Sequence, residues 1–118
     1  MADGEAIAIC YQGDVAVVGF TQASIGISAG FEEMRNSLRK FVINDNPSKI
    51  VVDFNGVKFF SSQTLGLLLE IWRKLEKEDG KMAISGINPQ LYRVFKITNL
   101  DKIFEFFETR DEAVESLS

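Results

Sequence analysis

The chain alternates short apolar runs with amphipathic segments at helical spacing, and this alternation limits the folds that it can form. Residues 50–54 are almost continuously apolar, which is typical of an internal strand in a sheet covered by helices. Residues 65–75 place Leu65, Leu68 and Leu75 on one face, which predicts an amphipathic helix. Strands that alternate with helices predict an α/β protein with a mainly parallel sheet and right-handed crossovers.

The predicted elements follow the order β-β-α-β-α-β-α-β-α in a single domain over residues 1–118. The first two strands flank a turn at Gly13 and are expected to form a hairpin. We therefore expect a mixed, mostly parallel sheet of four to five strands packed with about four helices. The predicted strands are residues 7–11, 15–20, 50–54, 81–85 and 103–107, and the predicted helices are residues 28–43, 61–79, 89–95 and 110–117.

Short polar motifs predict where the loops and helix ends lie. Residues 21–27 are small and polar and are expected to form a loop, after which Ser28 is the expected N-cap of the first helix. Gly80 is the expected left-handed residue that ends the second helix. Asn88 before a proline is the expected N-cap of the third, and a capping box at residues 109–112 begins the last.

Charge and composition exclude several classes of function. The formal net charge is −4 and no basic run occurs, so nucleic acid and anionic membrane surfaces are not expected partners. The apolar runs are too short to span a bilayer, which needs about 20 residues. With no histidine and one cysteine, His-dependent nucleophilic catalysis and a zinc site are not expected. We expect a cytoplasmic protein that is not an enzyme and that carries neither a cofactor nor a metal.

The segment of residues 61–64, Ser-Ser-Gln-Thr, is the strongest candidate for a functional site. It lies where a strand ending at Phe60 gives way to an apolar helix, and the first turn of a helix carries unpaired N–H groups and partial positive charge. From position alone, plain helix capping by a hydroxyl is the more ordinary explanation of such residues. The functional interpretation is an anion site or a phosphorylation site, and a phosphate would change the net charge from −4 to about −6.

Two other residues could carry chemistry. Asp53 at the end of an internal strand is either a catalytic carboxylate or a structural group that contacts neighbouring backbone. Cys10 in the hairpin is expected to be a small buried apolar residue rather than a reactive thiol.

The chain resembles a known family, the STAS domains, and within it the bacterial anti-sigma factor antagonists. Residues 50–68, IVVDFNGVKFFSSQTLGLL, are similar to the family signature, in which a strand ending in Asp precedes an Asp-Ser-Ser/Thr-Gly-Leu-Gly motif that opens a helix. Residues 80–91, 95–104 and 111–113 are similar to the closing half of the family.

The resemblance implies that Ser62 is phosphorylated, with Ser61 as the second choice. It implies a partner surface around this serine and two binding proteins: an anti-sigma factor that is also a serine kinase, and a phosphatase. A weak homodimer is left open. The implied partner-binding residues are Ser61, Ser62, Gln63, Thr64 and Gly66.

The motif departs from the family pattern at three positions. Ser61 stands where the family has Asp, Gln63 stands where it has a second hydroxyl residue, and Thr64 stands where it has Gly. Two alternatives to the phosphorylation switch therefore remain open. One is a STAS scaffold that is never phosphorylated, and the other is a domain that binds a small anion or a nucleotide at the helix end.

Overall fold

The computed structural model describes residues 7–25 and 29–118. Within them, strands and helices alternate as expected. The strands are β1 (Ile7–Gln12), β2 (Val15–Phe20), β3 (Ser24–Ile25), β4 (Lys49–Asp53), β5 (Phe59–Phe60), β6 (Lys81–Ser85) and β7 (Glu105–Phe107). The helices are α1 (Ala29–Asp45), α2 (Ser62–Lys77), α3 (Pro89–Ile97) and α4 (Arg110–Leu117), with a short 3₁₀ helix at Leu100–Lys102.

The main sheet has five strands in the order β1-β2-β4-β6-β7. The β1–β2 hairpin is antiparallel, and every other neighbouring pair in the main sheet is parallel. Val17, Val51 and Ala83 are in register across its centre. The predicted fold class, a mixed and mostly parallel sheet with four helices, is confirmed.

Helices cover both faces of the main sheet, unequally. The larger core joins one face to the apolar sides of α1, α2 and α3. The opposite face is packed by α4 through a smaller cluster centred on Val17, Ala113 and Leu117. Because α4 is only eight residues long, the two faces differ in how much of them a helix covers.

Two strand predictions are corrected. Residues 21–27 are not wholly loop, because Ser24–Ile25 pairs in parallel with Phe59–Phe60 in a separate two-stranded sheet. Residues 103–107 are not wholly strand: the 3₁₀ helix at Leu100–Lys102 delays the start of β7 to Glu105. The first error arises because β3 depends on pairing with a strand about 35 positions away, and the second because local hydrogen bonds from Ile103 and Phe104 to the Leu100 carbonyl extend the turn. The expected cap at Ser28 lies outside the described residues.

The end of α2 also differs from the prediction. Asp79, not Gly80, adopts the left-handed conformation, with φ of 60°. The N–H of Gly80 donates to the Leu75 carbonyl at 2.7 Å, which completes a Schellman-type ending. A side chain at position 80 would lie 2.7 Å from the Ser48 carbonyl oxygen, so the glycine is required by close packing.

Cys10 is exposed, against the expectation that it would be buried. It lies on β1, at the edge of the main sheet, and its side chain shares a side of the sheet with Val17, its partner residue on β2. The helix on that side, α4, packs against β4, β6 and β7. Local sequence does not show which strand will be an edge, and so the exposure of Cys10 was missed.

Candidate functional site at the start of helix α2

The start of α2 is held in place by the segments before and beside it. The Asn88 side chain donates to the Val57 carbonyl at 3.1 Å. The backbone N–H groups of Lys58 and Phe59 both donate to the Ala23 carbonyl, at 2.7 Å and 3.1 Å. These bonds fix the path of the chain into the helix from two sides.

The apolar face of α2 anchors the rest of the helix in the larger core. It buries Leu65, Leu68, Ile71 and Leu75. On the opposite side, Glu70 accepts two hydrogen bonds from the Arg39 guanidinium, at 2.7 Å and 2.8 Å, and so joins α2 to α1. The first turn of α2 is therefore exposed on a helix that is firmly held.

The residues predicted to contact a partner fall into three groups by exposure. Ser62, Gln63 and Gly66 are exposed, and Ser61 is half-buried. Thr64 is only 1% exposed, so its side chain points into the protein. The Ser62 hydroxyl makes no hydrogen bond to another described residue and is free at the surface. We call Ser61, Ser62, Gln63 and Thr64 the serine corner.

Ser61 occupies the N-cap position of α2 but its side chain does not cap the helix. Its backbone is extended, with φ of −81° and ψ of 159°, and its side chain accepts no cap hydrogen bond. Its hydroxyl lies 3.3 Å from the hydroxyl of Thr64. The N–H of Thr64 is instead satisfied by the Ser61 carbonyl at 3.0 Å. Ordinary side-chain capping therefore does not account for Ser61.

The chain segments that adjoin the serine corner in sequence and in the β3–β5 pair are poor in charge. Residues 54–69 contain one charged side chain, Lys58, and residues 15–25 contain none. The first turn of α2 carries no acidic residue. The ring of Phe59, three positions before Ser62, is 53% exposed. An uncharged surface around an exposed aromatic ring is typical of the centre of a protein interface.

Phe59 was missed as a candidate from the sequence, where it was taken only as the end of a strand. In β5 it is exposed while Phe60 is buried, because neighbouring residues of a strand point to opposite sides. Two phenylalanines in so short a strand were the available signal that one of them faces outward.

A second polar group, the carboxylate corner, consists of Asp53, Ser85 and Arg110. Asp53 is 6% exposed and both of its oxygens are used. One oxygen accepts from the Ser85 hydroxyl at 3.1 Å and the Asn55 N–H at 3.2 Å. The other accepts from Arg110, at 3.1 Å from Nε and 3.0 Å from Nη2. Asp53 therefore performs the structural role that was weighed against a catalytic one.

Candidate metal sites and membrane-spanning helices are both absent from the described residues. Among the described residues, His, Cys, Asp and Glu side chains form no group that could hold a metal ion. None of the helices in residues 7–25 and 29–118 is long and apolar enough to cross a bilayer.

Comparison with known proteins identifies the family. The model of the STAS domain family matches residues 14–113. The chain belongs to this family. The resemblance stated from the sequence motif is thereby confirmed, and the match includes both corners.

Individual relatives agree with this assignment. A candidate anti-sigma factor antagonist of Thermotoga neapolitana is 31% identical over 75 residues, which are 64% of this chain and 66% of the relative. The aligned part is thus slightly less than two thirds of that relative's length. The structure of an anti-sigma-factor antagonist (STAS) domain protein from Planctomyces limnophilus has a TM-score of 0.84 and 23% identity over 95% of this chain and 97% of its own.

A third likeness is to the Bacillus cell fate determinant SpoIIAA, solved in its phosphorylated form. Its TM-score is 0.73 and its identity is 20%, over 96% of this chain and all of that chain. At such identities the structural likeness shows the shared fold.

Proposed function

We propose that this STAS domain is an anti-sigma factor antagonist whose binding to a kinase-type anti-sigma factor is controlled by phosphorylation of Ser62. The observation that carries the proposal is the free, exposed hydroxyl of Ser62, three positions after the exposed ring of Phe59 in a stretch of chain with few charges. The family and the phosphorylated form of the structural neighbour SpoIIAA support it. The protein would act in the cytoplasm, and a phosphatase would restore the binding form.

The fold tolerates a phosphate at Ser62. Ser62 is the first residue of α2, where backbone N–H groups are unpaired and the helix dipole favours negative charge. No acidic residue in the first turn would repel it. Phosphorylation would therefore change the surface without unfolding the helix.

The same phosphate would disrupt a docked partner. An interface formed around Phe59 and the serine corner would bury a stretch of chain in which Lys58 is the one charged side chain. A phosphate adds about −1.5 to −2 charge. In the interface this group would either lose its bound water or face a partner group that suits an uncharged hydroxyl, and both cost binding free energy. A penalty of about 3 kcal/mol lowers affinity more than a hundredfold, which is enough for a switch.

Two of the three departures from the family motif, at Thr64 and Ser61, have different consequences. Thr64 replaces a glycine, but its side chain is buried, so it does not stand between a partner and the backbone. Ser61 replaces the motif aspartate and removes a carboxylate that a kinase could use to position the substrate. Ser61 is itself the poorer acceptor, since it is half-buried with its hydroxyl beside that of Thr64.

Calorimetry with the kinase-type anti-sigma factors of the same organism tests the proposal. We expect Ser62→Ala to bind with the affinity of the unmodified protein and Ser62→Glu to bind more than a hundredfold more weakly. Ser116→Glu adds the same charge at an exposed position of α4 and should leave the affinity unchanged. Equal affinities for the two Ser62 variants would reject the switch.

Phosphorylation itself is tested with the same kinase and ATP, followed by intact-mass measurement. Ser61→Ala should gain one phosphate and Ser62→Ala none. Ser61→Asp restores the carboxylate of the motif and should raise the rate of phosphorylation. Phosphate on Ser62→Ala but not on Ser61→Ala would move the site to Ser61.

A STAS scaffold that is never phosphorylated is the second candidate, and the serine at position 61 favours it. The intact mass of the protein isolated from its native cells, before and after phosphatase treatment, separates the two candidates. Binding of a small anion or nucleotide stays a prediction from the sequence. A rise in melting temperature with phosphate or ATP would support it.

A further inference from the structure

The two edges of the main sheet are protected to very different degrees. β7 is three residues long, contains Glu105 and is followed by Glu108. Short length and charge both discourage pairing with another chain. β1 is six residues long and has the sequence IAICYQ, without a charge or a proline. Its register against β2 is continuous, so no bulge bends it away from a partner strand.

The register of the hairpin shows which backbone groups of β1 are free. Gln12 and Val15 are partners on either side of a two-residue turn, and such a loop closes with a hydrogen-bonded pair. Hydrogen-bonded and non-hydrogen-bonded pairs then alternate along the strands. The N–H and C=O groups of Ile7, Ile9 and Tyr11 therefore point away from β2, and in the described part of the chain no other backbone group bonds to them.

We propose that β1 pairs antiparallel with β1 of a second copy, with the two-fold axis at Ile9. In this register Ile9 faces Ile9 of the second copy, and Ile7 faces Tyr11. All three outward residues of each strand are then used, which gives about six hydrogen bonds. Because the arrangement closes on itself, it ends at a dimer rather than a fibre.

The register of β1 favours a second copy as the occupant, because pairing with itself satisfies every outward backbone group of both strands. Each molecule carries a net charge of −4, which opposes association, and this repulsion is least where two copies meet through a segment that has no charged side chain. Ile9 packs against the larger core and Tyr11 is 47% exposed, so the paired strands would extend the apolar face. One strand pair buries far less surface than a stable dimer needs, and the dimer is therefore weak.

The association is tested by sedimentation velocity over a concentration series. The wild-type mass should rise from 13.2 kDa towards twice that value. Ala8→Lys puts a charge on the exposed side of β1 and should keep the protein monomeric. Asn36→Lys makes the same change on exposed α1 and should associate like the wild type. A wild type that stays monomeric, or an Ala8→Lys variant that associates equally well, would overturn the proposal.

Cys10 provides a test of the register. With the axis at Ile9, Ala8 faces Cys10 of the second copy in a non-hydrogen-bonded pair, whose Cα atoms lie about 4.5 Å apart and within disulfide range. In Ala8→Cys, the facing thiols should form a disulfide with oxidised glutathione, which is reduced to two glutathione molecules. The crosslinked dimer is scored on a non-reducing gel.

The controls are Asn36→Cys and the wild type, which should crosslink much more slowly. In the wild type the two Cys10 residues are diagonal neighbours, about 7–8 Å apart. Equal crosslinking of Asn36→Cys would overturn the paired edge. Crosslinking of the wild type as fast as Ala8→Cys would overturn the axis at Ile9, because it would place the axis at Cys10.

Discussion

Asp53 of the carboxylate corner and Ser62 of the serine corner lie nine positions apart, near the ends of β4 and β5, yet their polar groups have opposite environments. Asp53 is buried and both of its oxygens are bonded, by Ser85, Asn55 and Arg110. Ser62 is exposed and its hydroxyl bonds to none of the described residues. The first arrangement stabilises the fold, because a buried polar group must be satisfied. The second leaves a group free for chemistry, because nothing in the fold depends on it.

The largest effect is expected at the carboxylate corner. Asp53→Ala removes the acceptor of the buried Ser85 hydroxyl and the partner of Arg110, and should lower the free energy of unfolding by about 2–3 kcal/mol. Ser62→Ala should change it by less than about 0.5 kcal/mol. Urea unfolding measures both. Similar losses for the two variants would remove the distinction between the corners.

Alanine substitutions at two glycines near the corners should change the stability of the fold in opposite directions. Gly86 has φ of +67°, and a Cβ there would lie 2.8 Å from an Asp53 oxygen, so Gly86→Ala should destabilise by about 2 kcal/mol. Gly66 is exposed in α2 with nothing within 4 Å of an added Cβ, so Gly66→Ala should stabilise by about 0.5–1 kcal/mol. Melting temperatures check both signs. A stabilised Gly86→Ala would show that this corner has room to relax.

The N-cap residues of α3 and α2 should differ in their contributions to stability, by a smaller amount. Asn88 is a true N-cap, since its side chain accepts from the Leu91 N–H at 2.8 Å. Asn88→Ala should lower stability by about 1 kcal/mol or more. Ser61→Ala should cost only a few tenths of that, because the Ser61 side chain makes no cap bond. Equal losses would show that the Ser61 hydroxyl does cap α2.

The smallest effect is expected from the ion pair that joins α2 to α1. Hydrogen bonds from Arg39 lower the pKa of Glu70 from its ordinary 4.5, so the pair stabilises the fold above that pH. This contribution disappears as the pH falls through the lowered pKa. The stability difference between wild type and Glu70→Gln should therefore be present at pH 7 and shrink in acid. A difference that stays constant down to pH 2 would contradict the assignment.

Local patterns were sufficient to predict the main elements of the fold. The apolar run at β4, the leucine face of α2 and the Asn88 cap each depend on neighbours a few residues away. β3 was missed because it is stabilised only by pairing with β5, about 35 positions along the chain. The exposure of Cys10 was missed for the same reason, since the position of β1 at the edge depends on the order of the whole sheet.

The site was predicted in part. The motif placed Ser62 at the start of α2, but it could not show that Thr64 turns inward or that Phe59 turns outward. The contact between Asp53 and Arg110 joins residues 57 positions apart. It was open to prediction from topology alone, because parallel β4, β6 and β7 end at one side of the sheet and α4 begins just after β7.

The position of Ser62 in the first turn of α2 has a consequence for how long a phosphate mark would last. A negative group at that end of a helix leaves the free energy of unfolding unchanged or slightly higher. The phosphorylated form would then open no more often than the unmodified form, and proteases would degrade it no faster. Loss of phosphate in a cell would therefore depend on the phosphatase and not on faster destruction of the phosphorylated chain.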